Sequence, residues 1–393
     1  MLMRREASLR TASELEASAP RVSDLLPDPV DEVVETESGR YFHRRTAVPI
    51  EHVHGRKPLA SIRSVCPGRL SRLARDPRLE GVDFGKALYF DIETSSLEMG
   101  AGVCVFLVGF GLIEGDQVVV HQLFARHPGE EGAMLARLNG YFERASGAVS
   151  FFGKNFDKVR VEDKMLFHRI FSSFPAERHL DLCHVSRSIF RERFSNCRLK
   201  TLEKHELGFR RVGDLPGAEC PQAYFDYVRS GVFEGDILRV FEHNLYDVLS
   251  LITLTARLDQ VVVAPRDIGE RHALARVLQM GGEKVEAQRL WESVIADPDV
   301  ERFAMACEAR RQLSLLYRSA GDARAVALWK RMLDDDPLDL FAPLELAKWF
   351  EHKDRDFPRA LKVVEMLCER ITGGRQGEEL QRRRERLRTK LQQ

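Results

Sequence analysis

Apolar residues along this chain are arranged in two different rhythms. Between residues 86 and 185 they come in short runs closed by turn residues. "ALYFDIE" (87–93), "VCVFLVGFGLI" (103–113) and "DQVVVHQLF" (116–124) predict three strands, with the hairpin turn "EGD" (114–116) between the second and third. "EEGAMLARLNGYFERA" (130–145) has helical spacing. "AVSFFG" (148–153) predicts a fourth strand, followed by a helix through "RVEDKMLFHRIF", and "RHLDLCHV" (178–185) holds a short fifth strand. Helices follow, the longest predicted over 234–259. Hairpin-linked strands, then alternating helices and strands, predict an α/β domain with a mixed sheet flanked by helices, of the ribonuclease-H-like kind, rather than a doubly wound parallel sheet.

From about residue 270 the rhythm is helical throughout, and it repeats. "GGEKVEAQRLWESVIADPD" (281–299) aligns with "AGDARAVALWKRMLDDDPLD" (320–339), matching Ala287, Trp291 and Pro298 to Ala325, Trp329 and Pro337. "RDFPRALKVVEMLCER" is a weaker third copy. The spacing of 38 to 39 residues suits an all-α tetratricopeptide-like array, somewhat longer per unit than the usual repeat; a plain helical bundle is the alternative. The expected organisation is therefore a mobile arm over 1–35, an extension over 36–84 packed on the catalytic domain, that domain over 85–262, and helical repeats over 270–393.

Composition narrows the picture by exclusion. The 393 residues are 44% hydrophobic and 31% charged, with 60 basic and 60 acidic side chains. Overall charge announces no nucleic-acid partner, so any basic surface is local. Seven dispersed cysteines without a CxxC pair suggest reduced thiols in a cytoplasm. No signal-like apolar segment opens the chain, and no run approaches the roughly 18 residues of a membrane span. The absence of GxxxxGK[ST] argues against NTP hydrolysis.

The polar residues that interrupt the apolar runs carry the chemistry. Asp91 and Glu93 alternate with core residues on one strand, so both point to the same face. Adjacent carboxylates repel unless a cation offsets them, although a strand end with two solvated acids gives the same pattern. Asp157 follows a strand and a glycine turn. His243 and Asp247 lie four apart on a helix otherwise suited to packing.

This order of motifs resembles the DEDD superfamily of DnaQ-type 3′→5′ exonucleases. More closely, the chain resembles the YprB family, the mitomycin-repair-factor-B type, through "YFDIETSSL", "VFLVGFG", "FFGKNFD", "HLDLCHVSR", "CRLKTLE", "GDLPGAECPQAYFDYVRSG" and "EHNLYDVLSL". The resemblance covers roughly 36–262. It implies that Asp91, Glu93, Asp157 and Asp247 bind two divalent ions, Mg²⁺ or Mn²⁺, with His243 as general base. It implies DNA as substrate, in repair, with RNA as an alternative, and a protein partner for the repeats, such as a helicase. A non-catalytic scaffold is the reading from another class. His243 lies four residues before the last aspartate, where many histidine-type members have five. Phe152 stands where the family pattern has asparagine, and "KVRVEDKM" replaces a more apolar, proline-containing run.

Basic residues near these motifs are candidate phosphate contacts. Lys154 adjoins the second motif, and Arg198 and Lys200 stand out in the basic, phenylalanine-interleaved stretch 186–211. Asp181 is a candidate support for the metal site. The arginine-rich stretch "RRRERLRTK" near the C-terminus reads as a solvated helix or a nucleic-acid contact.

Overall fold

The computed structural model describes residues 26–96, 102–298, 303–371 and 373–392. The chain divides after Ala264 into two compact units.

The first unit is built on a seven-stranded mixed sheet. Its strands are β1 (Val30–Thr36), β2 (Gly39–Pro49), β5 (Leu88–Thr94), β6 (Val105–Glu114), β7 (Gln117–Phe124), β8 (Ala148–Ser150) and β9 (His179–Asp181). They lie in the order β1-β2-β7-β6-β5-β8-β9. Pairing is antiparallel from β1 through β5, and parallel across β5-β8-β9. A separate two-stranded ribbon joins β3 (Val53–His54) to β4 (Lys57–Pro58). The β6–β7 hairpin turns through Gly115, at φ +57°, and Asp116.

The sheet extends further than the sequence predicts. Residues 30–35, assigned above to a mobile arm, form edge strand β1 together with Thr36. That strand is exposed along nearly its whole length, with Val30 at 62% and Val33 at 47%. An edge strand wetted on both faces has no core to select alternating apolar residues, so "VDEVVET" gives no strand rhythm. Arg44 of β2 holds the edge through two 2.7 Å bonds to Asp31. Residues 1–25 of the expected arm lie outside the described residues.

Helices cover both faces. Helix α1 is Pro67–Ala74, α2 is Glu131–Phe142, α3 is Asp157–Phe167, α4 is Leu182–Phe190, α5 is Cys220–Ser230 and α6 is Asp236–Val263. On β5, Leu88, Phe90 and Ile92 enter the core formed with Leu135, Leu138 and Phe142 of α2. The alternate residues Asp91 and Glu93 therefore face the other side. A second core lies there, where Phe106 and Phe124 meet Tyr224 of α5 and Phe241 of α6.

The second unit is all-helical: α7 (Ile268–Met280), α8 (Lys284–Ile295), α9 (Phe303–Ala320), α10 (Arg324–Asp335), α11 (Phe341–His352), α12 (Phe357–Arg370) and α13 (Gly374–Gln392). The repeat alignment has a packing basis. Ala287, Ala325 and Ala360 are fully buried, as are the residues four further on, Trp291, Trp329 and Val364. Both indole N–H groups are satisfied, Trp291 by Gln279 and Trp329 by Ser314. The arginine-rich helix α13 is not simply solvated. Arg383, Arg386 and Lys390 converge on the buried carboxylate of Glu351. No single helix among the described residues is long and apolar enough to cross a membrane.

Candidate metal and nuclease site

The site starts from one glycine. Gly109 of β6 pairs with Asp91 on one side and with Gln122 of β7 on the other. A Cβ at Gly109 would lie 1.8 Å from the Asn244 side-chain oxygen, so only glycine lets α6 come this close. The Asn244 amide then donates to Asp91 Oδ2 at 3.0 Å, while its oxygen accepts from Gln122 at 3.0 Å. Asn244 thus ties helix α6 to the acid-bearing strand, and places His243 and Asp247 of the same helix over it.

Asp157 reaches the cluster from the first turn of α3. Strand β8 ends at Ser150, while β5 runs on, which leaves the Ile92 backbone amide to meet the Asp157 side chain between Asp91 and Glu93. Gly153 makes room, since a Cβ there would lie 2.9 Å from Asp157 Oδ2. Asp181 shapes this loop. Its two oxygens accept the backbone N–H groups of Phe152 at 2.8 Å, Lys154 at 3.0 Å and Cys183 at 3.0 Å. Asp181, expected to support the metal site, thus contacts the backbone of the loop leading to Asp157.

His243 completes the cluster. Its Nε2 lies 3.3 Å from Asp247 Oδ2 and 4.0 Å from Glu93 Oε1, and donor atoms of Glu93, His243 and Asp247 all fall within 4.8 Å of one another. Nδ1 sits 2.7 Å from Asp214 Oδ1. An Nδ1–H held by that carboxylate leaves the Nε2 lone pair directed toward the acids. Tyr246, next to Asp247, turns its hydroxyl to Glu242 instead.

The electrostatics are those of crowded, buried carboxylates. Burial, and then the charges of Asp247, Asp157 and Glu93, hold the Asp91 carboxyl well above its usual range against the Asn244 hydrogen bond. Burial lifts Glu93 to about 7, with Asp247 adding to the rise and His243 opposing it. Burial lifts Asp157 to about 8, where Asp181 and Glu93 add to the rise and backbone hydrogen bonds oppose it. For His243, burial favours the neutral ring, but Asp247, Asp214 and Glu93 outweigh it and raise the pKa. Oxygen donors held this close, and this reluctant to ionise, fit divalent-cation ligands, because a hard cation removes the repulsion that the protein leaves in place.

One side of the cluster has internal cations. Buried Arg211 donates to Asp247 Oδ1 at 2.7 Å and to Glu203 at 2.5 Å and 2.9 Å. Ser250 donates to Glu203 at 2.6 Å, so its oxygen accepts from His54 Nε2 at 2.8 Å. The segment between β2 and β5 is thereby linked to the site by a chain of buried hydrogen bonds. Lys200, expected to meet phosphate, lies 2.6 Å from Asp214 and reinforces the group holding His243. Arg198 is exposed ahead of the helical turn Leu199–Leu202, and Lys154 is partly exposed on the Asp181-held loop. Sequence reasoning passed over Asn244, Asp214 and Arg211. Asn244 adjoins His243, and Asp214 is the second residue of the quoted "GDLPGAECPQAYFDYVRSG" motif, but their roles arise only when the elements pack.

Comparison with known proteins bears on the domain that holds this cluster. Residues 88–259 match a family model of the RNase_H superfamily, a span that runs from the first residue of β5 into the last turns of α6. Over 337 residues the chain is 32% identical to the uncharacterized protein YprB of Bacillus subtilis (strain 168), an alignment covering 82% of this chain and 79% of that one. The superfamily match supports a nuclease, acting on nucleic acid with divalent metal. Identity at that level over most of both chains, joined to this domain, makes the chain a member of the YprB family with an RNase H-like fold.

Proposed function

We propose that the chain is a metal-dependent 3′→5′ exonuclease of the DEDD type that shortens DNA in repair. One observation carries the reading: Asp91, Glu93, Asp157 and Asp247, drawn from β5, α3 and α6, share one buried cluster with His243. The four acids would hold two divalent ions, Mg²⁺ or Mn²⁺, which neutralise the phosphate and acidify the attacking water. His243, oriented by Asp214, accepts the proton of that water at Nε2. With the neighbouring carboxylates neutralised, its pKa falls back toward the range in which imidazole works as a base. Arg211 fixes Asp247 through one oxygen and leaves the other facing the site. Lys154 and Arg198 are read as contacts to the strand's phosphates, and the leaving group is the 3′-oxygen of the penultimate nucleotide. The helical unit is read as a tetratricopeptide-like array that docks a protein partner, for which a helicase is the candidate.

The test is end-labelled DNA and RNA, single- and double-stranded, incubated with and without Mg²⁺ or Mn²⁺. Metal-dependent loss of nucleotides from the 3′ end of DNA is expected, abolished by Asp157→Asn with the fold intact. Full activity in that variant removes the proposal; faster loss from RNA makes the enzyme an exoribonuclease.

A further inference from the structure

Phe152 is held in a backbone conformation that phenylalanine rarely adopts. Its φ is +66°, and it is the one aromatic residue among the described non-glycine residues with positive φ. Burial does not compensate, since the residue is 43% exposed. The conformation is imposed by its surroundings. Asp181, itself buried, grips the N–H groups of Phe152 and Lys154, and the Phe152 carbonyl accepts from the Asn155 backbone N–H at 3.2 Å. A strained residue fixed this firmly, with its ring in solvent, points to a use for the ring.

Its position indicates that use. A Cβ on the adjoining Gly153 would lie 2.9 Å from Asp157 Oδ2, and β8, which leads into this loop, runs parallel to acid-bearing β5, so the Phe152 backbone lies beside the acid cluster. The half-exposed ring of His184 lies 6.4 Å away at 46°, and Asn155 contacts His184 at 3.3 Å. Two solvent-facing rings next to a phosphodiester site suit the apolar face of a nucleobase, with Lys154 alongside for the backbone. A base inside a duplex has both faces covered by its neighbours, whereas one at an unpaired end has a face to offer.

We propose that Phe152, with His184 beside it, is a stacking platform for a base at the unpaired 3′ end of the strand entering the acid cluster. This assigns the substrate class as single-stranded 3′ ends, and it rests on the nuclease reading above.

The experiment uses the full chain and single-stranded oligodeoxynucleotides carrying 2-aminopurine at the last or the penultimate position. Binding is followed by anisotropy and by quenching of the 2-aminopurine, with Ca²⁺ as the probe cation; cleavage is measured separately with Mn²⁺. Asn tolerates positive φ, so Phe152→Asn relieves the strain and is expected to raise the Tm. The same variant is expected to bind at least about 5-fold more weakly and to lose the quenching, while Phe152→Tyr keeps both. If the wild type binds and cleaves, and Phe152→Asn matches it in affinity and quenching, this inference falls and the nuclease reading stands. If the wild type neither binds nor shortens any oligonucleotide, both fall.

Discussion

Two groups of buried carboxylates in this molecule are treated in opposite ways. In the helical unit, Glu351 is enclosed by Arg383, Arg386 and Lys390, at 2.9 to 3.0 Å. Burial alone would raise its pKa, but these cations pull it down to about 2. In the sheet unit, Asp91, Glu93 and Asp157 are raised instead, since burial and mutual repulsion exceed what nearby donors return. Arg211 serves Asp247 and Glu203 on one flank only. A carboxylate supplied with its own cations is fixing helices together. Carboxylates crowded without them stay costly until an external cation arrives, which is how a ligand site differs from a structural ion pair.

Removing a charge should therefore have opposite effects at the two places. Asp91→Asn keeps an oxygen for the Asn244 amide but deletes one of the crowded charges. Activity is expected to fall at least about 1,000-fold, as for loss of a group acting in the transition state, while the Tm of the metal-free protein at pH 8 rises. Nuclease rates and thermal melts on one preparation check both. A loss of stability equal to the loss of function would erase the contrast.

Asp214→Asn sharpens the comparison within the sheet unit. Asp214 is pulled down to about 2, since His243, Lys200 and Arg211 outweigh its burial, so it belongs with Glu351 as a satisfied acid. Because it orients His243 rather than meeting substrate, its loss is expected to lower kcat about 10- to 100-fold with KM little changed. It should also move the pH–rate profile, which a purely structural residue would leave in place.

The smallest effect concerns stability against pH. Glu351 is depressed on folding, so it stabilises above about pH 4.5 and loses that contribution as pH falls toward 2. Glu351→Gln should cost about 1–2 kcal/mol at pH 7, after allowance for solvent around the three cations, and should flatten the acid limb of the helical unit's unfolding. The raised acids behave in reverse. Their contribution is complete below about pH 4 and is lost as pH climbs through about 7 to 8, so the metal-free sheet unit should weaken toward alkaline pH. Circular-dichroism melts across pH 3 to 9, with and without Mn²⁺, separate the two limbs.

These differences also mark what a sequence shows. Strands β5 to β7 and helix α6 are legible because each buries a face, which imposes a period on the residues. Strand β1 buries almost nothing and carries no such rhythm. Asp91, Glu93, Asp157, His243 and Asp247 stand out as acids and an imidazole set among apolar neighbours. Asn244, Arg211 and Asp214 do not, because a buried amide or ion pair is defined by a partner distant in sequence: Gly109 and Gln122 for Asn244, Asp247 for Arg211. Lys200 likewise takes a partner that sequence does not show: there it is one more cation in a basic stretch, and in the fold its half-exposed ammonium pairs with Asp214.

The central claim is that the raised carboxylates form one cation site, and calorimetric titration of the full chain with Mn²⁺ at pH 7 to 8 tests it most directly. In two buffers of different ionisation enthalpy, saturable binding with net proton release is expected, because metal must displace protons from Glu93 and Asp157, and Asp157→Asn should reduce both. Absence of saturable binding, or binding unchanged in heat and proton release by Asp157→Asn, would contradict the account.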